Sequence, residues 1–334
     1  MSEGCLFRWE PEQTLGNFTL EKQKTLPLWE EESMQELPYQ QHPEWKAVLE
    51  RLSQIRQEGE YTPENIEFII EQLQSFDDRI RGGAALAAEG CLFEPRVLNL
   101  VVELAETDGT PAIRKAAIQA LAPIIHEGVM QGLEDEVGAS TGVDDAEEWQ
   151  EFQEADLRED YLRVKHLLLS LLELEENWEI QESALSSLAD LGFLPQVQEK
   201  IEEFFRSSRQ SAQLVALHAM GKFPHYWEEH LLEVIRPDTP VALLKEAISA
   251  CYSSESAKLA RAIEGVLEHE DPEVLRYALL TLANIHRTEG LEEILQRFCL
   301  HEHPLVQEAA REGLEQISRR NLGDYLRNEL GFEE

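Results

Sequence analysis

The stretch Ile113–Leu121, IRKAAIQAL, opens on an apolar residue, follows it with a polar one, and places two alanines three and four positions on. IQESALSSL from Ile180, LKEAISACY from Leu244, VLRYALLTL from Val274 and VQEAAREGL from Val306 follow the same frame. IRGGAALAA from Ile80 and AQLVALHAM from Ala212 fit it as well. The anchors therefore fall at 80, 113, 180, 212, 244, 274 and 306, an interval of about 32 residues with one interval doubled. Self-similarity at this period marks a helical solenoid, in which each unit buries its apolar face only by stacking on its neighbours.

Working outward from each anchor, the preceding residues read as turns. Glu270-Asp271-Pro272-Glu273 and Glu302-His303-Pro304-Leu305 put proline two residues before Val274 and Val306, where a first helical turn needs no amide donor. Thr62 before Pro63 and Asp77 before Asp78 are N-cap candidates. The pairs Ala116/Ala117, Ser183/Ala184 and Ala309/Ala310 are small enough for helices of adjacent units to approach closely, so they are expected in the core. The first helix starts near Pro43, with Trp45, Val48, Leu49, Leu52 and Ile55 on one face.

Two segments stand outside the pattern. Residues 1–42 show no repeat and carry scattered prolines with spaced aromatics, Phe7, Trp9, Phe18, Trp29 and Tyr39. They read as an extended arm that docks on the solenoid or awaits a partner. Residues 131–156 lie within the doubled interval, with glycines at 132, 138 and 142. From Glu134 to Asp160 there are twelve acidic side chains and one basic, Arg158. Like-charge density and glycine oppose a packed helix, so an acidic inserted loop is expected, with helical periodicity returning at Leu157. The organisation is thus an arm at 1–42, repeats at 43–130, the loop at 131–156 and repeats at 157–334.

The chain carries 29 basic and 66 acidic residues, a formal charge of −37. Such a surface repels phosphate, which argues against nucleic acid and anionic lipid as partners. A basic protein is the natural complement. Cys5, Cys91, Cys251 and Cys299 are far apart and form no CxxC pair, so a reducing, cytoplasmic setting is expected. The opening MSEGCLFRWEPEQ lacks the features of a signal peptide, and no apolar run approaches the roughly 20 residues that span a bilayer.

The anchor motif resembles HEAT-like repeats, and DPEVLRYALLTLANI and TPAIRKAAIQALAPI look like the short-period subtype of phycobilin lyases. The resemblance covers about residues 43–320. It implies an all-α, right-handed solenoid of about eight helical hairpins, counting a first pair near residues 43–75 and a degraded region before Ile180, with second helices lining the concave side. It also implies a choice of functions: binding adaptors, bilin lyases, a DNA alkylpurine glycosylase and deoxyhypusine hydroxylase share this scaffold. The glycosylase would need a basic face. The hydroxylase carries His-Glu iron ligands within second helices, whereas here His269-Glu270 and His301-Glu302 fall five residues before their anchors, in turns.

Other chemical signals are weak. His301-Glu302-His303 is the tightest group of metal-competent side chains, but adjacent turn residues seldom point at one centre, and repeat equivalence accounts for it. His225 and His230 are five apart, unlike the i, i+4 pair of a zinc protease. His166 and His218 sit among apolar helical residues and read as core or groove histidines. Gly82-Gly83 lacks the Lys-Ser/Thr of a P-loop and reads as tight helix packing. No catalytic residue, cofactor or metal site is assigned. The expected function is a non-catalytic adaptor, scaffold or assembly factor that holds a basic protein partner. Its expected contacts are Asp144, Asp145, Glu147, Glu148, Trp149 and Phe152, followed by Trp9 and Trp29. The alternative is a bilin-lyase-like enzyme or chromophore-handling protein using the groove.

Overall fold

The computed structural model describes the backbone of residues 43–134, 148–285 and 290–330, and the side chains of residues 45–134, 157–285 and 290–320. The chain divides into Met1–Lys46 and Ala47–Glu334, and the stack described below belongs to the second unit. Among the described residues the ordered elements are helical. They are α1 (Pro43–Glu58), α2 (Pro63–Leu73), α3 (Asp78–Ala87), α4 (Pro95–Thr107), α5 (Pro111–Ala120), α6 (Ala122–Met130), α7 (Glu148–Leu174) and α8 (Trp178–Ser187). There follow α9 (Pro195–Phe205), α10 (Gln210–Met220), α11 (Glu228–Val234), α12 (Val241–Ala250), α13 (Ala257–Glu264), α14 (Pro272–Asn284), α15 (Leu291–Phe298) and α16 (Pro304–Leu330). Short 3-10 turns, Ala88–Cys91 and Ala189–Leu191, follow α3 and α8. No helix among the described residues is long and apolar enough to cross a membrane.

The helices pair as hairpins, α2–α3, α4–α5, α7–α8, α9–α10, α11–α12, α13–α14 and α15–α16. The second helices then form one continuous row, in which α3, α5, α8, α10, α12, α14 and α16 each lie against the next. This is an α-solenoid. The seven anchors sit in that row and are all buried. The small pairs Ala116/Ala117, Ser183/Ala184 and Ala309/Ala310 are buried with them, which is why neighbouring second helices approach so closely. The glycines of α3 also sit in tight packing: a Cβ at Gly83 would come within 2.7 Å of Leu49 Cδ2 on α1, while adjacent Gly82 faces Ile113 on α5. The glycine pair is a packing feature.

One turn design joins the two helices of most hairpins. Five residues before the anchor, a side chain accepts the backbone N–H of the N-cap residue two positions on. Asp77 N–H donates to Ser75 Oγ at 3.2 Å, Thr110 to Asp108 Oδ1 at 2.8 Å, Asn177 to Glu175 Oε1 at 3.1 Å and Arg209 to Ser207 Oγ at 3.2 Å. In the last two hairpins Asp271 donates to His269 Nδ1 at 3.0 Å and His303 to His301 Nδ1 at 3.1 Å. Pro240, the N-cap of α12, has no N–H to donate. From the other side, the residue after the anchor donates back to a carbonyl at the end of the first helix. Arg81 reaches Ser75 O, Arg114 reaches Ala105 O, Gln181 reaches Glu175 O and Gln307 reaches His301 O. Both ends of the turn thereby satisfy backbone groups that a helix terminus leaves without partners. The expected caps are present: Thr62 accepts from Asn65 N–H and Asp77 from Arg79 N–H.

The doubled interval is built differently from the expectation of a degraded unit. Lys115 on α5 bonds Glu179 on α8, and Arg163 on α7 bonds Asn99 on α4, each 64 residues apart. Elsewhere the same kinds of contact join residues 27 to 32 apart, as in Arg81–Asp108 and Thr110–Asp78. Hairpin α7–α8 is therefore the direct neighbour of hairpin α4–α5, and no stacking unit lies between them. The extra residues go into α6, which packs against α7, and into the segment that crosses from α6 to α7.

Candidate partner-binding surfaces

Asp144, Asp145 and Glu147, with Trp9 and Trp29, lie outside the described residues. Glu148, Trp149 and Phe152 lie on the head of α7, whose backbone is helical from Glu148 rather than from Leu157. The loop expected over 131–156 is thus shorter at its C-terminal end. Acidic residue types in a first helical turn complement the positive end of the helix dipole, so acid density at this position favours a helix start.

The residue at which the described chain leaves α6 is fixed by chemistry. Glu134 accepts from the Tyr161 hydroxyl and binds Lys165 Nζ at 2.5 Å, both on α7. Tyr161 is fully buried beneath α6, where the absence of a side chain at Gly128 makes room for its ring. Burial first, then the Glu134 carboxylate, pushes the Tyr161 phenol well above its usual range, so it serves as a permanent donor.

A second cluster joins three consecutive steps of the stack. Asp190 receives His126 Nδ1 from α6 at 2.9 Å and Lys222 Nζ from the end of α10 at 2.8 Å. Burial pushes against the charged carboxylate, but Lys222 and His126 together hold Asp190 below the usual range. Along the row, further pairs bridge adjacent second helices: Lys115–Glu179, Ser211–Glu182, His218–Glu246 and Lys245–Glu273. In two of these the carboxylate is the outer partner. Glu179 is 63% exposed against 18% for Lys115, and Glu273 is 48% exposed against 29% for Lys245. The row therefore shows solvent more carboxylate than ammonium at these steps.

The remaining histidines are placed as follows. His218 and His166 are exposed, which corrects the core reading for both. His225 stacks on Tyr226 at 4.1 Å within a cluster of rings that includes Phe223 and Phe193. His230 sits between Phe205 and Trp227 and pairs with Glu202. His269 and His301 line two adjoining clefts of about 340 and 460 Å³ between the last two hairpins. Their Nδ1 atoms are taken by backbone amides, which leaves each neutral ring its proton on Nε2 and no lone pair for a metal. Among the described residues no group of three or more His, Cys, Asp or Glu is arranged to hold a metal ion. Cys91 and Cys251 are buried, and burial pushes both thiols up to about 12, which suits packing rather than reactivity.

Sequence reading missed the Asp190 and Glu134 clusters. His126 and Asp190 are 64 residues apart, and only the finding that α5 abuts α8 makes them neighbours.

No protein-family model matches the chain, and no curated protein matches it. Among solved structures, an engineered protein is similar at 16% identity over 82% of this chain and 94% of its own, with a TM-score of 0.34. A designed armadillo repeat protein in complex with the peptide (KR)4 is similar at 18% identity over 75% and 98%, with a TM-score of 0.32. The solenoid assignment itself stands on the helix stack and its repeated contacts.

Proposed function

We propose that this protein is a non-catalytic scaffold of the HEAT-like kind that holds a protein partner bearing a basic patch. The contacts proposed are Asp144, Asp145, Glu147, Glu148, Trp149 and Phe152, with Trp9 and Trp29 of the arm as secondary anchors. The observation that carries this reading is the set of 64-residue contacts across α4–α5 and α7–α8. Because the stack is already continuous there, the crossing segment is not needed to complete it. An acid-rich segment that starts from the tied Glu134 and leads into a helix head with Trp149 and Phe152 is then best understood as contact surface. Aromatic anchors supply desolvated contact, while carboxylates speed and orient encounter. The charge of −37 supports a basic protein and opposes nucleic acid.

The test is affinity capture under a salt series with three forms: the intact protein, one with residues 135–147 replaced by a Gly/Ser linker, and Trp149→Ala/Phe152→Ala. Glu134 and α7 stay intact in the linker form, so the tie between them remains. A partner held by the intact form, released by moderate salt and lost from both variants supports the proposal. Equal retention by all three overturns the assignment of the contact surface to this segment.

A further inference from the structure

Every N-cap amide held by the turn design has the same geometry, but the acceptor changes along the chain. Ser75, Asp108, Glu175 and Ser207 serve the earlier turns, and none of these side chains changes charge between pH 5 and 8 in its ordinary range. Imidazole, which ordinarily does, serves only the last two, through His269 and His301. A backbone N–H can only donate, so Nδ1 of each ring must present its lone pair, and the ring must be neutral. Adding a proton to Nδ1 converts that acceptor into a donor and sets two N–H groups against each other.

Charged side chains share the clefts with both rings. His269 and His301 line the same clefts, together with Glu268 and Glu270 from the turn before α14, Glu302 and His303 from the turn before α16, and Arg297 from α15. Asp271 is already occupied as the cap of α14, accepting from Glu273 and Val274 N–H. The ring of His301 also stacks on Phe298 at 5.9 Å. Three carboxylates and one guanidinium thus share the clefts with the two rings.

We propose that His269 and His301 are a paired, proton-sensitive lock on the last two hairpins. In the neutral state they fix the N-caps of α14 and α16. In the protonated state they release both amides and reorganise the facing turns, which leaves the earlier turns unchanged.

The test follows the full-length protein by ¹⁵N-resolved NMR from pH 8 to pH 5, reading the two imidazole rings and the amides of Asp271 and His303. The expected result is that each amide shifts in one step that coincides with the titration of its own ring. The amides of Asp77 and Arg209, held by Ser75 and Ser207, should not follow those steps. His269→Ser and His301→Ser, made singly, keep an acceptor that this chain itself uses at that position. Each should abolish its own step. The lock is overturned if the Asp271 and His303 amides ignore the ring titrations, or if either step survives in its serine variant.

Discussion

Asp190 gathers one partner from each of the two neighbouring steps of the stack, and it makes a quantitative demand. Its two oxygens are divided between His126 and Lys222, and the pair together lowers its protonation range despite burial. A carboxylate lowered in the folded state adds stability that is complete above its unfolded value, near pH 4. That stability is lost as acid carries the pH down through the folded value. Asp190→Asn should therefore cost about 1–2 kcal/mol at pH 7, after allowance for a partly exposed Lys222. Urea unfolding at pH 7 and at pH 2.5 checks it: the gap between wild type and variant should narrow in acid. A gap of the same size at both values would show that the cost is one of packing. At this scale the sequence was legible where the cause is local. Anchors, small pairs and the Thr62 and Asp77 caps depend on neighbours a few residues away. The turn acceptors were not legible, because Ser, Asp, Glu and His all do the same work and leave no common letter at the position.

At the scale of elements, the contact of α6 with α7 is the one joint that the repeat pattern does not specify. It rests on the Tyr161 ring lying against Gly128, where a Cβ would approach the ring to 2.1 Å. Tyr161 is completely buried and tied to Glu134, so it has little freedom to retreat. Gly128→Ala should cost about 1–3 kcal/mol through overpacking, in spite of the better helix propensity of alanine. Thermal unfolding followed by circular dichroism measures this, and an unchanged midpoint would mean that α6 can slide. Helix α7 also shows why its own start was misplaced. Counting like charges predicts repulsion, but positions 148 and 151 fall in the first helical turn, where an acidic residue type favours a helix start.

For the whole molecule, stability is a sum over neighbouring hairpins rather than a single core. On the proposed reading the segment at 135–147 serves contact with a partner rather than stacking. Its replacement by a Gly/Ser linker should leave the helix content unchanged. The melting temperature should hold or rise, since acidic repulsion is relieved. The effect should be largest at low salt and fade above ~0.15 M, where the Debye length falls to about 8 Å. A large loss of stability would mean that the segment is structural. The solenoid class was legible because its period is written seven times. The adjacency of α5 and α8 was not, because a doubled interval is equally compatible with a worn repeat and with an insertion. Only contacts across it distinguish the two.

That adjacency also has a kinetic side. Folding in a stack spreads by adding the next hairpin, and most closures span about thirty residues. Between α5 and α8 the span is 64 residues, and doubling a loop adds only about 0.6 kcal/mol of closure entropy. The cost is small, but it falls at one step, so residues 47–121 and 157–320 are expected to zip as separate runs and join last across α5 and α8. A single proteolytic cut within 135–147 would then yield two fragments that each hold complete hairpins. The face between α5 and α8 would be the seam along which they find each other again.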